Sequence, residues 1–214
     1  MTKLGLLGDI HAEDARLETA LRLFRAEGVD QSLFVGDVVD GEGDVDRCCA
    51  LLAEAGAIGV RGNHDRWLLE GKMRSLPHAH TREALSPASI ALLESLPVVR
   101  EIETARGVLL LCHGVGEDDM QRLGPDDEGY ALSTNDALTA LVRSDRYALA
   151  VGGHTHARMV RRFGALVFVN AGTLAPASDP CCAILDVASS RARFFELEDP
   201  SVARASEDVA LLLG

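Results

Sequence analysis

Apolar and polar positions follow one another in short blocks along the chain. Five of the apolar blocks stop abruptly at a small residue and a metal-ligand type. Residues 4–7 run into Gly8-Asp9-Ile10-His11, and residues 32–35 into Gly36-Asp37. Residues 58–60 lead to Arg61-Gly62-Asn63-His64-Asp65, residues 108–111 to Cys112-His113-Gly114, and residues 147–151 to Gly152-Gly153-His154-Thr155-His156. Their length and bounding glycines predict buried strands. Ligands of open α/β sheets collect at the carboxyl ends of the strands. All five exits are therefore expected on one rim of one sheet, forming a large metal site.

The intervening blocks fit that frame. Residues 13–26 place Ala15, Leu17, Ala20, Leu21, Leu23 and Phe24 at helical intervals, closed by Gly28. A second helix is expected over 44–55, closed by Gly56, so the first third reads βαβαβ with parallel strands. A short helix then follows at 66–69 and a polar loop at 72–81. Another helix starts at Ser86-Pro87, serine capping and proline at the first helical position, and stops before Pro97. Residues 98–102 and 108–112 read as adjacent strands, and 114–145 as an insertion whose tail, 134–142, is helical. Strands are expected again at 148–151, 159–162, 166–169, 183–186 and 192–197, with a terminal helix over 201–213. The strand-rich second half implies a second sheet packed on the first. With no repeat, low-complexity stretch or linker, one domain over 1–214 is expected.

Composition narrows the function. A chain of 214 residues is long enough for one well-buried domain. Its formal net charge of −12 argues against nucleic acid as the main partner, because phosphate backbones need clustered Lys and Arg. That figure also counts the carboxylates read here as ligands, which bound cations would offset. The five cysteines, Cys48, Cys49, Cys112, Cys181 and Cys182, show no CxxC spacing and read as buried free thiols rather than a disulfide framework. Neither a signal-peptide pattern nor a membrane-length apolar stretch is visible, so a soluble, cytoplasmic protein is expected.

Singly, Asp9-x-His11, Gly36-Asp37 and His154-x-His156 identify little. Together they are strong, because five of the seven histidines fall at strand exits. Two divalent ions about 3.5–4 Å apart can clamp the attacking and leaving oxygens of a displacement at phosphorus. Such a pair needs a bridging carboxylate and several neutral imidazoles. Asp37 is the natural bridge, Asp9 the terminal carboxylate, and Asn63 an amide-oxygen donor. Water held between the ions is acidified from a pKa of about 15.7 toward about 7, which gives a hydroxide nucleophile.

With these motifs in this order over positions 8 to 156, the chain resembles the calcineurin-like metallophosphoesterase family, in particular its small bacterial phosphodiesterase-like branch. The segment Asn170-Ala171-Gly172-Thr173 resembles a turn that often follows. The resemblance implies a four-layer α-β-β-α sandwich, two mixed sheets flanked by helices with metals at strand C-terminal ends. It implies one metal on Asp9, His11, Asp37 and His156 and another on Asp37, Asn63, His113 and His154. His64 would protonate the leaving oxygen, oriented by Asp65. The sequence departs from the serine/threonine phosphatases of the superfamily. Gly36-Asp37-Val38-Val39-Asp40-Gly41 lacks their phosphate-binding arginine, and Asp65 stands where they carry glutamate. Some small bacterial phosphodiesterases of this type carry cysteine in place of His64, so this chain keeps a fuller acid–base set.

Outside the motifs, His78-Ala79-His80 and the acidic runs 117–119 and 126–128 read as solvated loop residues, and Arg61 as a strand-end charge. The expected activity is hydrolysis of a small phosphate mono- or diester by direct attack of a metal-bound hydroxide. The cofactor is two divalent ions, manganese first, with iron, zinc, nickel or cobalt also suited to imidazole and carboxylate. A catalytically idle protein-binding scaffold of the same fold, or a nuclease, is the competing reading. Neither oligomeric state nor a choice between mono- and diester is written in the sequence.

Overall fold

The computed structural model describes residues 1–211. Strand β1 (Lys3–Leu7) opens the chain. Helix α1 (Asp14–Ala26), strand β2 (Gln31–Phe34), helix α2 (Val45–Glu54) and the short strand β3 (Ile58–Gly59) complete the expected βαβαβ unit. Strand β2 lies parallel to both β1 and β3. Helix α3 (Asn63–Glu70) starts at the third strand exit itself, and α4 (Pro87–Ser95) is capped by the Ser86 side chain, which accepts from the Ser89 amide. Next come β4 (Arg100–Thr104), β5 (Gly107–Leu111), the short α5 (Tyr130–Ser133), α6 (Asp136–Arg143), β6 (Leu149–Gly152), β7 (Met159–Phe163), β8 (Leu166–Asn170), β9 (Cys181–Asp186) and β10 (Arg191–Glu196).

The strands form two mixed sheets, ordered β10-β9-β1-β2-β3 with one further edge strand, and β4-β5-β6-β8-β7. Period-two alternation divides each strand between two cores. Leu4 and Leu6 of β1, Leu109 and Leu111 of β5, Leu149 and Val151 of β6, and Phe194 of β10 meet between the sheets. Phe24 of α1, Leu52 of α2 and Leu93 of α4 pack with Ile184 of β9 on the outer face of the first sheet. Leu138 and Leu141 of α6 cover Leu110, Ala150 and Phe168 on the outer face of the second. Gly5 lets α1 approach, since a Cβ there would sit 2.4 Å from the Phe24 ring. All five cysteines are buried and free. No helix among the described residues is long and apolar enough to cross a membrane.

Two expectations are corrected. The stretch read as a terminal helix contains instead an edge strand, β11 (Arg204–Ala210), antiparallel to β10 with a bulge between Phe194 and Phe195; Leu212 and Leu213 lie outside the described residues. Pairing with the open ladder of β10 overrides local preference here, and the strand's exposed charges suit a sheet edge. Nor do the five ligand-bearing exits share one sheet. Strands β1, β2 and β3 belong to the first, and β5 and β6 to the second. The ligands meet because the two sheets are stacked with these exits at a common end.

Candidate metal centre

Four residues at the strand exits bend the backbone sharply as it reaches the centre. His11, Asp37, His154 and His156 all have positive φ, between 46° and 66°, a region where side chains are uncommon. Such strain costs on the order of 1–3 kcal/mol per residue and persists only where surroundings over-determine it. Here the amides of Ile10 and His11 both donate to the Asp37 carbonyl, at 3.1 and 2.7 Å, and Gly153 N donates to His113 O at 2.6 Å. The segment after β8 adds a brace. Asn170 Nδ2 donates to Gly153 O and Thr155 Oγ1, and Thr173 Oγ1 donates to Asp9 O at 2.8 Å.

The glycines in front of the ligands have a steric reason. A Cβ on Gly8 would lie 1.8 Å from Gly172 O, one on Gly62 2.1 Å from Asp37 Oδ1, and one on Gly153 2.3 Å from Asp9 Oδ1. The exits cross so closely that only hydrogen fits.

The structure brings Asp9, His11, Asp37, Asn63, His113, His154 and His156 together. Asp9, His11 and His156 form one tight group of ligand atoms, and Asp9, Asp37 and His113 an overlapping second. His113 Nε2 lies 2.9 Å from Asn63 Oδ1 and 3.4 Å from Asp37 Oδ2, and its ring is 5.3 Å from that of His154. Backbone carbonyls fix two tautomers. His113 Nδ1 donates to Val35 O at 2.8 Å, and His11 Nδ1 to Asp40 O at 2.9 Å. In the neutral ring each assignment leaves the Nε2 lone pair aimed inward, the usual arrangement behind a metal-binding imidazole.

Three observations show that these residues fit cations. His11 Nε2 and His156 Nε2 face each other at 3.0 Å, so that two imidazole nitrogens converge on one point. Asp9 Oδ2 is buried without a hydrogen-bond partner, a costly state for a carboxylate oxygen, although it lies 3.1 Å from His156 Nε2. Finally, burial opposes charge on His113, yet Asp37 and Asp9 push it up to about 10. The pocket asks for positive charge at its middle. Burial likewise opposes ionisation of Asp37, but His113, His11 and His64 hold it well below the usual carboxylate range.

The carboxylates divide their oxygens. Asp9 Oδ1 accepts from His154 N at 3.1 Å, which leaves Oδ2 for the group with His11 and His156. Asp37 Oδ1 accepts from His64 N, in the first turn of α3, at 2.8 Å. Asp37 Oδ2 lies 3.9 Å from His11 Nε2 and 3.4 Å from His113 Nε2, between the two sets.

His64 stands beside the cluster, its ring 5.0 Å from His11 and 4.9 Å from Trp67. Its expected partner is wrong. Asp65 is fully buried and turned away, accepting from the amides of Val38 (2.8 Å), Val39 (3.3 Å) and Gly62 (3.0 Å). At the third position of α3 it reaches back to the residue before the helix, and thereby ties the second exit to the third. Burial and the adjacent Asp37 push its carboxyl up, against those amide donors. His64 Nδ1 instead bonds Asp40 Oδ2 at 2.8 Å.

Asp40 also receives Arg74 and the backbone of His80, so His80 is a half-buried partner rather than a solvated loop residue, whereas His78 is exposed. Asp119 is likewise not solvated: Arg66 grips it with Nε at 2.6 Å and Nη2 at 2.9 Å. Asp40 stood three residues after Asp37 and was a visible clue. Arg74 carried none. A cavity of about 280 Å³, lined by Thr155, Ala157, Arg158, Ser178 and Asp179, opens beside His156.

Two stacked mixed sheets with carboxylates and imidazoles gathered at their common end define a metal-binding α/β protein. A model of the calcineurin-like phosphoesterase superfamily domain matches residues 2–190, and the chain belongs to that family. No curated protein matches the sequence. Among solved structures it is similar to the phosphoesterase Yfce from E. coli (21% identity, TM-score 0.61, covering 98% of this chain and 99% of that one). It is also similar to an archaeal phosphodiesterase (18%, 0.60, 91% and 99%) and to zinc-complexed Vps29 from Entamoeba histolytica (16%, 0.60, 98% and 99%). At these identities the likeness is one of fold.

Proposed function

We propose that this protein is a dinuclear metal-dependent hydrolase of small phosphodiesters, folded as one domain. The observation that carries the reading is the buried, unpartnered Asp9 Oδ2 at a point where inward-facing imidazole nitrogens converge. Asp9, His11, Asp37 and His156 would hold one cation, and Asp37, Asn63, His113 and His154 the other. When bound, the pair supplies Lewis acidity, which activates water and neutralises phosphoryl oxygens.

The chain's own groups supply the rest. His64 has Asp40 on Nδ1, which leaves Nε2–H to protonate a departing oxygen. Burial disfavours its charged form, but Asp40 and Asp37 outweigh burial and raise its pKa above 6.5, as an acid near neutral pH requires. The stabilisation of charged His64 is fully present below 6.5 and is lost as pH rises through the folded-state value.

A count of cations favours diesters. Arg66 and Arg74, which flank the centre, are each bound bidentately by a carboxylate, Asp119 and Asp40. Exposed Arg122, whose charge acts on His154, has no side-chain partner among the described residues. With Arg66 and Arg74 already committed to carboxylates, the cationic side chains left for a phosphate suit a monoanionic diester better than a dianionic monoester. With a net charge of −12, a long polyanionic substrate is disfavoured as well.

The test is a hydrolysis panel of phosphomonoesters, cyclic and linear diesters and dinucleotides with added manganese, alongside metal analysis. Two metals per chain and faster diester turnover are expected. Metal-loaded protein inert on the whole panel would favour the scaffold reading, and faster monoester turnover would overturn the diester preference.

A further inference from the structure

Arg74 lies on the loop between α3 and α4, yet its side chain reaches the residue that holds His64. Its Nη1 donates to Asp40 Oδ1 at 2.8 Å and its Nη2 to Asp40 Oδ2 at 2.9 Å. The same guanidinium donates to His80 O at 2.7 Å and to Lys72 O at 2.6 Å. Of the five N–H groups an arginine carries, only one stays free. A guanidinium so committed is not available to grip a substrate phosphate. His80 completes the enclosure: its amide donates to Asp40 Oδ1 at 2.9 Å, and its Nδ1 accepts from Asp40 N at 3.1 Å. The Asp40 side chain is left 2% exposed and that of Arg74 16%.

We infer that Arg74 is a positioning residue for the proton donor, acting through Asp40 on His64. This inference rests on the hydrolase reading above. A carboxylate bonded only to His64 could rotate about its last torsion and swing the imidazole with it. A planar guanidinium across both oxygens prevents that rotation, and the His80 amide fixes the same plane from the loop side. His64 is then held with Nδ1–H on Asp40, the charged form carrying its transferable proton on Nε2 beside the ligand cluster and the neutral form remaining the Nδ1–H tautomer. The consequence is specific. Misplacing His64 hurts only reactions whose leaving oxygen needs a proton, because none of the residues that would hold metal bonds Arg74.

The test compares Arg74→Gln and Arg74→Lys with the parent on two diesters, a dinucleoside monophosphate with an alkoxide leaving group and bis-p-nitrophenyl phosphate. Metal content and melting are measured on the same preparations, and the His64 ring nitrogens are followed by NMR in the zinc-loaded protein. Arg74→Gln is expected to keep both metals and lose about 100-fold in kcat on the alkyl diester, with at most about a threefold loss on the aryl diester and little change in KM. Its His64 signals should move from one tautomer to a mixture. Arg74→Lys should fall between, since an ammonium cannot span both oxygens. Equal losses on the two esters with metal retained, or an unchanged tautomer and unchanged rates, would overturn the inference. If Arg74→Gln does not fold, Arg74→Lys carries the same comparison, and equal losses in it count equally against the idea. A parent inert on both esters would refute the hydrolase reading instead, while the tautomer measurement would still decide the role of Arg74.

Discussion

Replacing Gly62 by alanine should open the metal centre without replacing any ligand. Gly62 has φ −87° and ψ 176°, an extended backbone any residue adopts, so alanine brings no conformational strain. The obstacle is space. The added Cβ would sit 2.1 Å from Asp37 Oδ1, 2.4 Å from Asp37 N and 2.8 Å from Asp37 Cγ. Backbone cannot yield as a flexible side chain can, so contacts this short force the second and third exits to part by well over half an ångström. Overpacking of this kind costs about 1–3 kcal/mol. The same movement pulls Asp37 off the amide of His64 and away from His113. Disturbing groups that orient ligands typically weakens metal affinity by about 10–100-fold.

Gly71→Ala is the control. Gly71 ends α3 at φ 65° with nothing within 4 Å of a built Cβ, so alanine there adds strain but no clash. The left-handed backbone costs about 1–2 kcal/mol. Both variants should therefore melt early, and only Gly62→Ala should also need more metal to fill its sites. Denaturant titration gives the first quantity, and competition with a metal indicator gives the second. If Gly62→Ala binds metal with the parent's affinity, the close approach of the exits is not what shapes the centre.

Other expectations follow from single contacts. Asp37→Asn should lose more activity than His11→Ala, and excess metal should rescue it less, because Asp37 Oδ2 faces both ligand sets; equal rescue would remove the bridging assignment. His64→Ala should keep its metals and lose about 10²–10⁴-fold on alkyl esters, with a much smaller loss on p-nitrophenyl esters; equal losses with metal retained would refute the leaving-group role. Asp30 accepts from the amides of Thr2 and Lys3 and from the Thr2 hydroxyl, which lower its pKa to about 2. Its stabilisation is present above 3.8 and fades as pH falls toward 2, so Asp30→Asn should be less stable than the parent at pH 7 by about 1 kcal/mol or less after solvent screening. The difference should close over that acidic window in paired denaturation curves, and a constant offset would exclude the linkage.

Most of the fold was legible because burial writes a period into the sequence. Strands β5 and β8 read as near-continuous apolar runs because one face meets the other sheet and the other a helix. Helices α1 and α2 showed their stripes for the same reason. The terminal strand β11 was misread because its residues are almost all exposed. Without burial there is no period to read, and only the open edge of β10 decides its conformation.

The metal centre was legible for a different reason. A ligand at a strand exit follows a buried run and a glycine, and both marks are local in sequence. The network behind it has one local mark, Asp40 three residues after Asp37, and no other. The family resemblance implied Asp65 as the partner of His64, yet adjacent side chains on a helix do not face each other. The real partner, Asp40, comes from another exit, and Arg74 and His80 come from a loop whose polar composition looked solvated. Three backbone amides of the second and third exits needed an acceptor, and Asp65 satisfies them. That demand of buried N–H groups decides which of two neighbouring carboxylates is structural and which is left to hold the proton donor.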